Sequence, residues 1–526
     1  MTGGIIQLVA HGIEDIFLTR DPQITFLKVV YRRHTNFSTE EIPQYFSEKP
    51  NWGKTYSCEI SKDGDLMGDT CVVVTLPSIN KFKTSTGDDN ITKFAWARRI
   101  GHVLLKSITI EINGKTIDKH YGEWLNIWME LFGKKDEGCL KLIGDVPELT
   151  EFTNGKDEYV LYIPLRFWFC GYSGRYLPLI AMTYSNIKIN IEINDFDNCY
   201  IISPTNYIKC EADIVNFREY EYIEQNVDGV IYAGIYNSYD IVKKRLYYTP
   251  ITKNKLIGTY STILSPTQDQ KTSILTDSAN KKYRIIGKTS KFYVMPSINE
   301  TTKTHNYSKL RNINLGDVYL LVNFVFLDEE ERIKVAQAKH EYLIEQLFYT
   351  PDITLEGANR TVAISIDHPC KFLQWIVQMD YIDKSNDHFN YTDSYVRKLF
   401  PDEYPDYELN ECIGKNPVKQ ETMLINGHER LSFRDSDYFT HVQNLQYAKY
   451  SPSVLTNSLF FSLFPASEQP SGTFNTSQAT TIEIKMRLGH YVDANNFAKF
   501  RSYGPSVNVL RIDSGLCATL FKNSIY

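Results

Sequence analysis

Nowhere in this 526-residue chain do 18 uncharged apolar residues run together, so no segment is expected to cross a bilayer as a helix, which takes about 20. The opening stretch Met1–Val9 has no cationic region ahead of its short apolar run, and no secretory signal is expected. A surplus of positive charge is also missing. Lys and Arg number 57 against 63 Asp and Glu, a net charge of −6, whereas a protein that coats nucleic acid must neutralise phosphates with a basic excess. No direct nucleic-acid contact is therefore expected.

The nine cysteines, Cys58, Cys71, Cys139, Cys170, Cys199, Cys210, Cys370, Cys412 and Cys517, are scattered, odd in number and include no C-x-x-C pair. Neither a zinc site nor a disulfide framework follows, and free buried thiols in a reducing compartment are the expectation. Catalytic signatures fail one by one. Gly114-Lys115-Thr116 and Gly53-Lys54-Thr55 look like the end of a phosphate loop, but Thr109 and Glu48 stand where its first glycine belongs. Asp383, Ser385 and Asp387 begin like a calcium loop, yet His388 and Ser394 occupy the positions that need Gly and Glu. His340-Glu341 has Ile344 in place of a second histidine, and no Gly-x-Ser-x-Gly elbow occurs. No catalytic residue, cofactor or metal is assigned, and the chain is not expected to be an enzyme.

What is abundant is strand and turn material: 36 Tyr and 28 Phe, a 13% aromatic share, with frequent Ile, Val, Thr and Asn. Val103–Ile112, Tyr159–Phe169, Ile187–Ile193, Val318–Phe326 and Thr481–Leu488 alternate with period two, separated by Gly, Pro, Asn and Asp clusters. One segment differs. Asp328–Gln346 opens with four acids and spaces Ile333, Ala336, Tyr342 and Leu343 at helical intervals, so it predicts a helix. The length calls for at least two cores, and the main boundary falls near residue 350, after that helix. The polar stretch Pro250–Lys282 is read as a long loop.

Two features recur in the same order on either side of the boundary. Ile112-Asn113-Gly114 and Ile425-Asn426-Gly427 each mark a tight hairpin, since both turn residues tolerate positive φ. Leu161–Phe169 followed by Ile187–Ile193 is matched by Leu459–Phe464 followed by Ile482–Met486. A duplicated antiparallel β-sandwich is the expectation, an all-β fold with long loops.

Blocks at the start, middle and end of the chain carry a family resemblance. They are Gly3–Ala10, Asp21–Phe26 and Tyr31–Phe37; Ala338–Gln346; Gln469–Asn475; and Asn508–Ile512. Together they closely resemble the major capsid proteins of nucleocytoplasmic large DNA viruses. The resemblance implies two consecutive eight-stranded jelly rolls and a structural virion protein, self-assembling as a homotrimer into a pseudo-hexagonal capsomer of an icosahedral shell. It implies an N-terminal arm (1–35), a first jelly roll (36–350) with long insertion loops at about 200–314, and a second (351–526). Partners would be neighbouring capsomers and minor capsid proteins, with assembly in the host cytoplasm. An internal membrane layer would fit the acidic balance by separating shell from genome. The cluster Tyr31, Arg32, Arg33, His34 mixes cations with an aromatic ring, which suits anionic lipid headgroups, nucleic acid or a neighbouring chain's carboxylates, and the resemblance points to an inter-subunit or capsomer-base contact whose partner it leaves open. Some family members are glycosylated on outward loops, and seven Asn-x-Ser/Thr sequons stand here, at Asn36, Asn90, Asn299, Asn306, Asn359, Asn390 and Asn475. The compact family pattern is exceeded between about Tyr200 and Asn314.

Rival readings are a low-copy capsid paralogue, a receptor- or carbohydrate-binding sandwich of the virion, and a β-sandwich glycosidase. The last would need two facing carboxylates about 5 to 10 Å apart, which a sequence alone neither finds nor excludes.

Overall fold

The computed structural model describes the chain except for residues 1–33, 81–92, 204–205, 218–220, 228–229, 251–262, 264–282, 289, 299–302, 305–312, 384–385, 394–414, 451, 490–491, 493–496 and 523–526. Eight strands build the first sandwich: β1 (Phe37–Tyr45), β2 (Thr55–Glu59), β3 (Leu66–Leu76), β4 (Leu105–Ile112), β5 (Lys115–His120), β6 (Tyr159–Pro164), β7 (Ile187–Ile193) and β8 (Val318–Leu327). They form two antiparallel sheets ordered β1-β8-β3-β6 and β2-β7-β4-β5. The alternation read from the sequence is the reason. Along β7, Ile187, Ile189, Ile191 and Ile193 are all buried while Lys188, Asn190 and Glu192 are not, so one face of each sheet turns to the common core.

The second sandwich repeats this order. Its strands are β9 (His340–Leu355), β10 (Asn359–Ala363), β11 (Phe372–Met379), β12 (Val418–Ile425), β13 (His428–Glu429), β14 (Asn457–Phe460), β15 (Ile482–Leu488) and β16 (Ala498–Asp513). The sheets are ordered β9-β16-β11-β14 and β10-β15-β12-β13, each position eight strands on from its equivalent. The fold is a double jelly roll. Both hairpin turns close as expected, with φ of 53° and 75° at Asn113 and Gly114 and 50° and 77° at Asn426 and Gly427.

Several local expectations need correcting. The helix from Asp328 stops at Gln337; α2 (Glu329–Gln337) buries no residue, so nothing in the packing prolongs it. From His340 the chain is strand β9, whose backbone bonds to β16 and whose Ile344 enters the core. Val103 and Leu104 end a short helix, and strand β4 starts at Leu105. β6 ends at Pro164, and Phe167, Trp168 and Phe169 turn off the sheet into the core. The stretch near 200–314 is not simply loop. Between β7 and β8 it makes a seven-stranded antiparallel sheet, Asn206–Thr304, with its own core of Ile208, Ile223, Leu246, Tyr248 and Ile285. Most of Pro250–Lys282 lies outside the described residues.

The two sandwiches share material. On β9, Ile344 belongs to the first core and Phe348 and Leu355 to the second; on β16, Leu510 and Ile512 belong to the first and Ala498 and Phe500 to the second. Two strands thus run through both cores, paired with each other from His340–Ile512 to Leu355–Ala498. A third cluster seals the joint. Helix α1 (Gly122–Phe132), which follows β5, packs Trp124, Ile127, Leu131 and Phe132 against Phe372, Ile376, Phe460 and Tyr503 of the second sandwich.

Candidate interaction surface

Of the four residues singled out as a contact, Tyr31, Arg32 and Arg33 lie outside the described residues. His34 is exposed, with ring Nδ1 3.0 Å from the carbonyl of Thr35. The described chain therefore starts just ahead of β1, on the edge of the first sandwich's outer sheet.

That sheet carries the surface that sequence reasoning missed. Its register places Tyr45, Tyr319, Val73 and Tyr162 in one row across all four strands, and Pro43, Leu321, Cys71 and Pro164 in a second. The row between them, Gln44, Leu320, Val72 and Ile163, faces the core. Outward-facing rows of an antiparallel sandwich are ordinarily polar. Here Tyr45 and Tyr162, at the two ends of the first row, are 70% and 39% exposed while Val73 between them is 1% exposed; Val160, one row further on, is 42% exposed, and the Tyr45 and Tyr319 rings lie 5.7 Å apart. Exposed aromatic and aliphatic groups of this kind on a sheet face are suited to burial against another protein surface. Their trace in the sequence is Val72-Val73-Val74 on β3 and Leu320-Leu321-Val322 on β8, apolar on both faces.

At the joint, α1 presents Glu123 and Glu130, seven residues apart and so on one face of the helix. Glu123 accepts from Arg501 Nη1 at 2.8 Å and from the hydroxyls of Tyr391 and Tyr503. Glu130 accepts from Ser453 N at 2.6 Å and Ser453 Oγ at 2.8 Å, and pairs with Arg99 at 2.6 Å and Lys135 at 2.7 Å. Burial alone would push the Glu130 carboxyl up, but the Arg99 guanidinium, Lys135 and Ser453 overcome it and hold it down at about 2. These ties fix one sandwich against the other.

The remaining sequence candidates resolve into structural roles. Asp383 pairs with Lys499 Nζ at 2.7 Å, and Asp387 accepts from Asn390 at 2.9 Å; Ser385 and Ser394 lie outside the described residues. Asn386 and His388 donate to or meet carbonyls of Asp197, Tyr200 and Asn198, mooring this loop to the first half of the chain. His340 contacts the Val335 carbonyl and Glu341 pairs with Arg511. Gly114-Lys115-Thr116 is the β4–β5 turn, and Gly53-Lys54-Thr55 leads into β2. No group of three or more His, Cys, Asp or Glu able to hold a metal occurs among the described residues. Cys58, Cys199, Cys210, Cys370 and Cys517 are buried free thiols, and burial pushes Cys370 and Cys517 up to about 12. Of the sequons, Asn36, Asn359 and Asn475 are exposed and Asn390 is buried; Asn90, Asn299 and Asn306 lie outside the described residues.

Comparison with known proteins agrees along the chain. The family described as "Major capsid protein N-terminus" matches residues 25–230, and "Large eukaryotic DNA virus major capsid protein" matches 331–518. The chain is 40% identical over 527 residues to "Probable capsid protein 4" of Acanthamoeba polyphaga mimivirus, covering 99% of this chain and 100% of that one. It is 28% identical to the "Major capsid protein" of Phaeocystis pouchetii virus at the same coverage. Among solved structures, PBCV-1 VP54 superimposes with a TM-score of 0.60 at 20% identity, covering 95% of this chain and 100% of that one. The Faustovirus major capsid protein gives 0.60 at 14% identity, covering 96% and 94%. At those identities the likeness speaks for the fold.

Proposed function

Since the chain belongs to the family of large eukaryotic DNA virus major capsid proteins, we propose that it is a structural subunit of a virion shell whose function lies in its interfaces. The observation that carries this is the double jelly roll itself, one strand order executed twice within a single chain, with two strands shared between the cores. Two similar sandwiches offer unlike lateral faces, which is what a closed ring requires. Three copies then set six sandwiches around one axis, a nearly hexagonal tile. We divide the chain into an arm (1–35), a first jelly roll (36–350) and a second (351–526), with the joint inside β9. The arm with Tyr31, Arg32, Arg33 and His34 is assigned to contacts at the tile's base, against a neighbouring capsomer, a minor capsid protein or an underlying membrane layer. No catalytic activity is part of this reading, and assembly is placed in the host cytoplasm.

Mass photometry of the purified chain tests it. A species of about three times 60.9 kDa that survives dilution is expected, whereas a monomer persisting at micromolar concentration would overturn the trimer.

One observation favours a second reading. Acanthamoeba polyphaga mimivirus has proteins called "Capsid protein 1", "Probable capsid protein 3" and "Probable capsid protein 4", and the 40% identical relative is the last. The present chain would then be one of several shell proteins in its particle, present in low copy. Quantitative mass spectrometry of purified virions separates the two readings by its abundance.

A further inference from the structure

A cavity of about 90 Å³ lies where the two sandwiches meet, walled by the rings of Trp124, Trp128 and Trp168. Its floor comes from the first sandwich, and residues 465–468 of the second cover it. The volume matches roughly three waters, at about 30 Å³ each, or one small organic group.

The polar atoms around it are mismatched. Arg166 lines the cavity with its guanidinium 4.1 Å over the Trp128 ring, and it has no carboxylate within ion-pair distance among the described residues. Burial lowers its affinity for the proton; the carboxylate whose charge opposes this, Asp69, is already engaged with the Gly171 N–H and the Tyr176 hydroxyl. Trp168, 3% exposed, has an indole N–H with no acceptor, and so does Nε of Arg175. The acids present are committed. Glu345 is shared by Lys371 at 2.9 Å and Arg175 at 3.6 Å, and Glu468 pairs with Arg175. Among the described residues, two buried donors, the Trp168 and Arg175 N–H groups, and one partly buried cation, Arg166, therefore belong to the lining of a space that offers them no free acceptor, and a buried donor left unpaired costs about 1–3 kcal/mol.

We propose that this inter-sandwich cavity is a binding site for a small oxyanion, accepted by Arg166 and the Trp168 and Arg175 N–H groups against the tryptophan walls. A planar carboxylate suits it better than a phosphate, because a guanidinium takes a carboxylate through two parallel bonds and because Glu345 and Glu468 repel a dianion more. Bound there, the anion would tie residues of both sandwiches together.

The full chain is titrated with sodium acetate, inorganic phosphate and sodium chloride at matched ionic strength, following tryptophan emission and melting temperature. A saturable response to acetate or phosphate but not chloride is expected, the stronger of the two identifying the anion's class. Arg166→Gln should raise the half-saturating concentration by about tenfold or more, the loss of one charged contact. Should that variant not fold, Trp168→Phe, which removes one donor and keeps the ring packing, should still weaken the response in the melting assay. A response to neither oxyanion would mean that water alone satisfies these donors. That result, or one undiminished in both variants, overturns the site.

Discussion

Glu421 faces the interior of the second sandwich from β12, fully buried, with Oε2 accepting from Trp375 Nε1 at 2.9 Å across the core and Oε1 without a partner. Desolvation, opposed only by that one hydrogen bond, pushes the carboxyl up to about 8. The folded state therefore keeps a proton that the unfolded chain releases from its ordinary value of 4.5 upward. Stability is full below that value, falls as pH rises toward 8, and is flat beyond. Glu130 works in the opposite sense: held at about 2, its contribution is present above 4.5 and lost as pH falls toward 2. From these two groups the stability optimum is expected near pH 4.5 to 5. Glu421→Gln should raise urea resistance at pH 8.5 by up to about 5 kcal/mol, with the gain vanishing near pH 4. Equal gains at both pH values would show that Glu421 is not titrating. Neither role is visible in the sequence, where Glu421 is one of 63 acids and only the partner sheet reveals that it points inward.

At the scale of elements, the paired Asn-Gly turns separate conformational cost from steric cost. A Cβ at Gly114 or Gly427 would meet nothing within 4 Å, so replacement by Ala pays only for the left-handed backbone, about 1–2 kcal/mol. At Gly122, the first residue of α1, a Cβ would run into the carbonyls of His102 and Leu105. Gly427→Ala and Gly114→Ala should thus fold with modestly lowered melting temperatures, and Gly122→Ala should be lost to aggregation or deeply destabilised. Similar melting temperatures for all three would contradict this. These turns were legible in the sequence because positive φ restricts residue type locally. So were β7 and β15, whose strict alternation reflects one buried face. Less was legible where tertiary contacts decide. Ala338–Gln346 has helical spacing, yet the ladder with β16 and the burial of Ile344 and Gln346 make it strand from His340 on. The sheet between β7 and β8 pairs strands such as Asn206–Lys209 with Arg245–Pro250, too short and too polar to announce themselves. The outer apolar face was hidden for a related reason, since Tyr45, Tyr319, Val73 and Tyr162 become neighbours only through register.

For the whole molecule, the sharing of β9 and β16 between two cores predicts cooperativity that separate domains would lack. Scanning calorimetry should show one transition with equal calorimetric and van't Hoff enthalpies, where two independent sandwiches would give two components. If the seven-stranded insertion melts first, a small early component is the one departure this fold allows, because its core is separate.

The β9–β16 ladder also has a mechanical meaning. Pairing runs almost unbroken from His340 to Leu355, interrupted by a single irregularity after Thr350, and it lies across the seam between the sandwiches. Because both strands run through both halves, force that draws the halves apart along these strands meets two covalent chains before it meets side-chain packing, and the ladder between them makes the pair resist as one ribbon. The seam is therefore expected to resist such a load through its two continuous strands instead of through the softer side-chain contacts between the halves.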